Sequence, residues 1–153
     1  MTTYRHTEFS LLNLVLLALP IVVCFMVFLI SNAPWGYQLI TLGLAALFGG
    51  LGICFHSLTI EVDDKDVRIF FGKGFLKRRW ALADCVGARQ VKTRLIDGWG
   101  IKLTPDGWLY SVSMPEAVLI RFRNGKAVQL GSDEPEALLA ALLEAGLEPE
   151  EPA

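Results

Sequence analysis

Between Leu11 and Phe55 the chain has no aspartate, glutamate, lysine, arginine or histidine. A helix that is apolar all round lies either in a large protein core or in a bilayer. A chain of 153 residues is too short to wrap two such helices in a core of its own. Histidine is almost missing too: His6 and His56 flank the uncharged stretch, so no Ser-His-Asp or Cys-His arrangement is available beyond it. The three cysteines, Cys24, Cys54 and Cys85, are far apart and have no metal-ligand spacing, which excludes a disulfide framework and a zinc motif. No Walker loop, HExxH or CxxC occurs, and Gly72-Lys73-Gly74 is too short to cradle a phosphate. The expectation is a protein that is not an enzyme and holds neither cofactor nor metal.

The uncharged stretch consists of two apolar runs, Leu11 to Ile30 and Trp35 to Phe55, joined by Ser31-Asn32-Ala33-Pro34. At ~1.5 Å per residue each run matches the ~30 Å hydrocarbon core of a bilayer. The pattern predicts a transmembrane helical hairpin over 11–55, preceded by an interfacial segment, 1–10. The second run is rich in small residues, and Gly43, Ala45, Ala46, Gly49 and Gly50 include two small-xxx-small pairs. They receive either the first helix or a helix of another molecule. Pro20 is expected to bend the first helix. The short loop is uncharged, whereas Arg5 precedes the first run and Lys73, Lys77, Arg78 and Arg79 follow the second. The positive-inside rule therefore places both termini in the cytoplasm, in a multi-pass protein of the plasma (inner) membrane.

After His56 the pattern changes to short alternating strands. From His56 to Ser132 there are 13 basic and 8 acidic residues, whereas from Asp133 onward there are 7 acidic residues and no basic one. Strands are expected over Leu58–Val62, Val67–Phe71, Phe75–Leu82, Asp84–Val91, Trp99–Thr104, Trp108–Ser113, Ala117–Arg123 and Lys126–Leu130. Asn124-Gly125 reads as a type I′ hairpin turn, and Pro105-Asp106-Gly107 as a second turn. A helix follows, with Asp133 and Glu136 as a capping box, Pro135 in the first turn, and Leu138, Leu139, Leu142 and Leu143 as its apolar stripe. Gly146 ends it. This gives a domain over 57–146 with about seven antiparallel strands in a small barrel or sandwich, capped by one C-terminal helix. Residues 147–153 form an acidic tail.

That order of elements is the order found in a pleckstrin-homology (PH) domain. The chain also resembles a bacterial family of small membrane proteins, in which a two-span hairpin leads directly into a PH-like domain. The likeness rests on Leu58–Asp63, on Arg79-Trp80-Ala81-Leu82-Ala83-Asp84 entering Cys85–Val91, and on the block from Gly98-Trp99-Gly100-Ile101 to Gly107-Trp108-Leu109-Tyr110. Leu130-Gly131-Ser132-Asp133-Glu134-Pro135-Glu136-Ala137-Leu138 completes it. The resemblance implies an α+β PH-like fold behind a membrane anchor, and it supplies no catalytic residues.

Candidate lipid- or partner-binding residues are Lys73, Lys77, Arg78, Arg79, Arg89, Lys92, Arg94, Trp99 and Trp108. The basic ones either meet anionic lipid, at ~1 kcal/mol per charge near a membrane surface, or form a solvated strand face. The aromatic residues either fill the core or line a peptide groove or the bilayer interface. A basic excess of this size beside an acidic tail argues against nucleic-acid binding, and no small-molecule substrate is evident. The expected role is a membrane-anchored scaffold or accessory subunit whose partners are membrane lipids and a membrane-protein complex, or a second copy of itself.

Overall fold

The computed structural model describes residues 2–30, 34–93, 100–112 and 116–150, apart from the side chains of residues 2, 3, 12 and 13. Strand β1 (Thr2–Phe9) leads into α1 (Leu11–Ile30), and α2 (Trp35–Phe55) leads into β2 (Ser57–Asp63). The helices pack antiparallel, and the strands at their ends pair antiparallel in register, Phe9 opposite Ser57 and Tyr4 opposite Val62. The Ser10 N–H donates to the His56 carbonyl at 3.3 Å, which closes the junction between helix pair and sheet. Residues 2–9, within the segment expected to be interfacial, thus form a strand of the folded body. Their inward side chains, Tyr4, His6 and Glu8, carry polar groups, so the apolar/polar alternation that marks a half-buried strand is absent.

Among the described residues, β1 and β2 continue through β3 (Asp66–Phe71) to β4 (Leu76–Ala81), in the order β1-β2-β3-β4. A 3-10 turn (Leu82–Asp84) then leads into the second sheet, made of β5 (Cys85–Lys92), β6 (Gly100–Thr104), β7 (Gly107–Ser111), β8 (Glu116–Phe122) and β9 (Ala127–Gly131). Helix α3 (Pro135–Glu144) and the two-residue strand β10 (Glu148–Pro149) complete the chain, and the sheet runs β10-β5-β8-β9-β7-β6. The fold is mixed α+β, and the sheets do not close into a barrel. Nor is it all antiparallel, because β7 pairs with β9 in parallel and β10 pairs with β5 in parallel.

The two sheets share one core. Leu58, Ile60, Val62, Val67, Ile69 and Phe71 supply it from the first sheet, and Ala88, Val118, Ile120, Val128 and Leu130 from the second. Leu138 and Leu142 of α3 are fully buried in the same cluster. The α3 C-terminus has the αL glycine that the sequence predicts. Gly146, at φ +101°, donates to Leu143, while the Leu147 N–H reaches Leu142 and its side chain joins the core, completing a Schellman motif. The N-terminus differs from expectation. Glu134 is the N-cap with no side-chain cap bond, so Asp133 and Glu136 form no capping box, while Pro135 holds the first position.

The Asn124-Gly125 turn also differs. Type I′ needs positive φ at both central residues, but Gly125 (φ +78°) has it and Asn124 does not. The Gly125 N–H bonds to Phe122 O and the Phe122 N–H to Lys126 O, which gives a three-residue connection with a bulge at the glycine. Asn124 Oδ1 accepts from the Lys126 N–H, an Asx turn that stabilises this alternative. Beyond α3, within the expected acidic tail, Glu150 Oε1 accepts from Arg121 Nε at 2.7 Å.

Trp35–Phe55 is long and apolar enough to cross a bilayer; the described side chains of the first helix, Leu14–Ile30, form a shorter apolar stretch. Large apolar side chains are exposed on every side of both helices that is not in the shared seam.

Candidate functional site

The ladder of the first sheet separates the predicted basic cluster by height and by face. Measured from the junction, where Gly72 N–H bonds to Ser57 O, Lys77 shares a row with Phe70 and Thr59, and Arg79 shares a row with Arg68 and Glu61. At ~3.3 Å per residue these rows lie roughly 7 and 13 Å from the junction. Lys73 sits in the Gly72–Phe75 turn at the junction itself, and Phe75 beside it is 75% exposed. A Cβ on Gly72 would lie 2.8 Å from the carbonyl oxygens of Ile53 and Cys54, so this turn rests directly on the end of α2.

The outer face at the Arg79 height is largely self-neutralised. Arg79 Nη2 lies 2.6 Å from Asp66 Oδ2, Arg68 contacts Asp63 at 3.1 Å and Asp66 at 3.4 Å, and Arg5 contacts Glu61 at 3.3 Å. Hydrogen bonding from Arg79 holds the Asp66 carboxyl below its ordinary pKa. Lys77 lies over the Phe70 ring at 5.9 Å. Arg78 alternates to the opposite face of β4 and is exposed.

The other predicted residues do not join this group. Trp108 is opposite Val128, Val128 opposite Ile120, and Ile120 opposite Ala88, all on the inner face of the second sheet. Arg89, one residue along β5, points to the other face and lies three strands from β7. Lys92 is exposed, opposite Glu116. Arg94 and Trp99 lie outside the described residues.

What the structure does bring together is a groove of about 460 Å³ at the end of the body farthest from the helices. Trp80, Tyr110, Phe122 and Val128 line it, with Trp108 at one side, 49% exposed. The Trp80 and Tyr110 rings meet edge-on, 5.6 Å between centroids. Arg79, Arg123 and Lys126 also line it, with Asp84 the single acid. Sequence alternation marks Trp80 as inward-facing, but the inclusion of the Arg123–Lys126 turn depends on how the two sheets stack, which no local pattern encodes.

The helix seam divides the small residues. Ala45 is half-buried, and a Cβ on Gly49 would lie 3.9 Å from Ile21 Cδ1, so this pair faces α1. Gly43 and Gly50 would meet nothing within 4 Å, and Ala46 is exposed between them. A second smooth stripe therefore faces away from α1.

A polar cluster lies where β1 meets the start of α3. His6 Nε2 is 2.6 Å from Asp133 Oδ1, and His6 Nδ1 is 3.5 Å from Glu134 Oε2. The Glu8 side chain is buried without a hydrogen-bond partner among the described residues. Burial first, then Asp133, push its carboxyl up to about 7, with His6 opposing. Burial likewise raises the Cys85 thiol to about 11, making it unreactive. Among the described residues no three His, Cys, Asp or Glu side chains gather as a metal site.

No protein-family model matches the chain, and no curated protein matches it.

Proposed function

We propose that this is a non-enzymatic, two-span membrane protein that serves as a scaffold or accessory subunit and binds a protein partner at the cytoplasmic face. The observation that carries this reading is the junction. Two helices with exposed apolar surfaces run straight into paired strands, so the folded body sits against the surface from which the helices emerge. The outward stripe of Gly43, Ala46 and Gly50 supports docking on another membrane helix or on a second copy. The PH-like assignment rests on the order of elements read from the sequence, and Lys73 and Lys77 near the junction support a cytoplasmic body. Purification from native membranes in mild detergent, followed by mass spectrometry, tests the reading. A stoichiometric protein partner is expected, and a lone chain would reject it.

A second reading is an anionic-lipid module next to its own anchor. Lys73 and Lys77 favour it, because they lie near the junction; Arg79 is about 13 Å away, beyond a Debye length of ~8 Å, and is already paired with Asp66. Replacing Lys73 and Lys77 by Glu in the full chain should then strip co-purifying anionic phospholipid, and unchanged phospholipid content would dismiss this reading.

A further inference from the structure

Strand β4 is an edge of the first sheet, with no strand beyond it among the described residues. The phase of its ladder is fixed at the far end, where Leu82 N–H bonds to Lys65 O at 2.8 Å. In an antiparallel pair successive residues alternate between bonding the neighbour and pointing away. Trp80, Arg78 and Leu76 therefore bond inward to β3, and Lys77 and Arg79 turn their N–H and C=O groups outward. An edge of this kind is a template for a further strand. Here it carries Lys77 and Arg78, whose charges repel a basic or like strand and attract an acidic one, while Arg79 is held by Asp66.

The same strand ends at the groove. A chain laid along β4 would bring one side chain over Trp80, Tyr110 and Trp108, next to Arg123 and Lys126. Neither Arg78, Arg123 nor Lys126 has a carboxylate partner among the described residues. Unpaired backbone, unpaired cations and an aromatic recess thus occur along one line.

We propose that β4 and the adjoining groove bind an extended acidic segment of a partner protein, which adds as a strand to β4 and seats one apolar side chain against Trp80 and Trp108. This rests on the protein-partner reading above and specifies the chemistry of that partner. Backbone hydrogen bonds supply affinity, and the charges and recess supply selectivity.

The test uses the full chain in nanodiscs and a fluorescent peptide as long as β4, alternating glutamate with valine and carrying one phenylalanine. Comparison peptides replace each glutamate by lysine, or place proline at alternate positions. The acidic peptide should bind at least tenfold more tightly than either. Lys77→Pro removes an N–H that points outward, not one in the ladder, and Arg123→Glu changes an exposed turn. Each should weaken binding at least tenfold while the thermal transition is unchanged. Binding of the proline peptide as tightly as the acidic one, or full binding by both variants, overturns the proposal. A partner that co-purifies with the wild type and equally with the Lys77→Pro/Arg123→Glu double variant rejects this site and leaves the scaffold reading standing. Absence of any co-purifying partner rejects the scaffold reading itself.

Discussion

His6 Nε2 lies 2.6 Å from Asp133 Oδ1, so the first strand is tied to the segment that starts the last helix. The two ends of the chain stabilise each other across the helix pair that separates the strand from the rest of the body. His6→Ala and Asp133→Ala should each lower the unfolding midpoint. Their double-mutant cycle should give a coupling of about 1 kcal/mol, the upper range for a partly exposed pair. Additive effects would show that the contact contributes nothing to stability.

Glu8 gives the fold a pH dependence of unusual sign for a carboxylate. Its carboxyl is raised from 4.5 to about 7 in the folded chain. Below about pH 4.5 the group is neutral in both states. As pH rises from there to 7 the unfolded chain ionises first, so this contribution to stability falls. After discounting for solvent screening, the loss is about 1–2 kcal/mol above pH 7. Glu8→Gln should therefore stabilise the protein at pH 8 and change little at pH 4.5, in urea titrations at both values. A gain of equal size at both would show that ionisation is not the cause.

Gly107 separates close approach from backbone strain. It has φ +122°, and a Cβ there would run into the Ala127 carbonyl where β7 lies against β9. Gly125 also has positive φ, at +78°, but opens on free space. Gly107→Ala should cost about 3 kcal/mol, combining strain and displaced backbone, against about 1 kcal/mol for Gly125→Ala. Equal losses in thermal denaturation would argue that the β7–β9 approach is not tight.

The helix seam makes a paired prediction. Gly49→Leu places a side chain where Ile21 already lies and should lower the stability of the helix pair by 1–3 kcal/mol. Gly50→Leu should leave the midpoint unchanged in detergent and reduce whatever docks on the outward stripe, including self-association read by cross-linking. Loss of stability at Gly50 with none at Gly49 would reverse the assigned faces.

Much of this arrangement is legible in the chain itself. Leu58, Ile60 and Val62, then Val67, Ile69 and Phe71, alternate cleanly and become the inner face of the first sheet. Pro135 and Gly146 mark the ends of α3 because the proline lacks an N–H that the first turn leaves unpaired anyway, and the glycine accepts the positive φ of the C-terminal cap. The first strand escapes the same logic: Tyr4, His6 and Glu8 point inward, and hydropathy reads them as surface. The parallel pairing of β7 with β9 escapes too, since a local pattern marks a strand but not its neighbour. The basic cluster is legible as composition only. Which of its members stay available is decided by Asp63 and Asp66, acids that the sequence shows as a turn and the fold turns toward Arg68 and Arg79.

The missing linker at residues 9–11 and 55–57 has a mechanical meaning. Both strands that leave the helices belong to one sheet, and Phe55, Phe71, Tyr110 and Trp80 form a file of touching rings from the end of α2 to the groove, with centroids 5.5, 6.4 and 5.6 Å apart. From Ser57 to Val62, the row of Trp80, the sheet rises roughly 17 Å. The groove is therefore carried on a short stiff post and has no tether on which to swing. On the proposal above, it can serve only what comes within that standoff of the helices, so a partner is selected by reach as well as by charge.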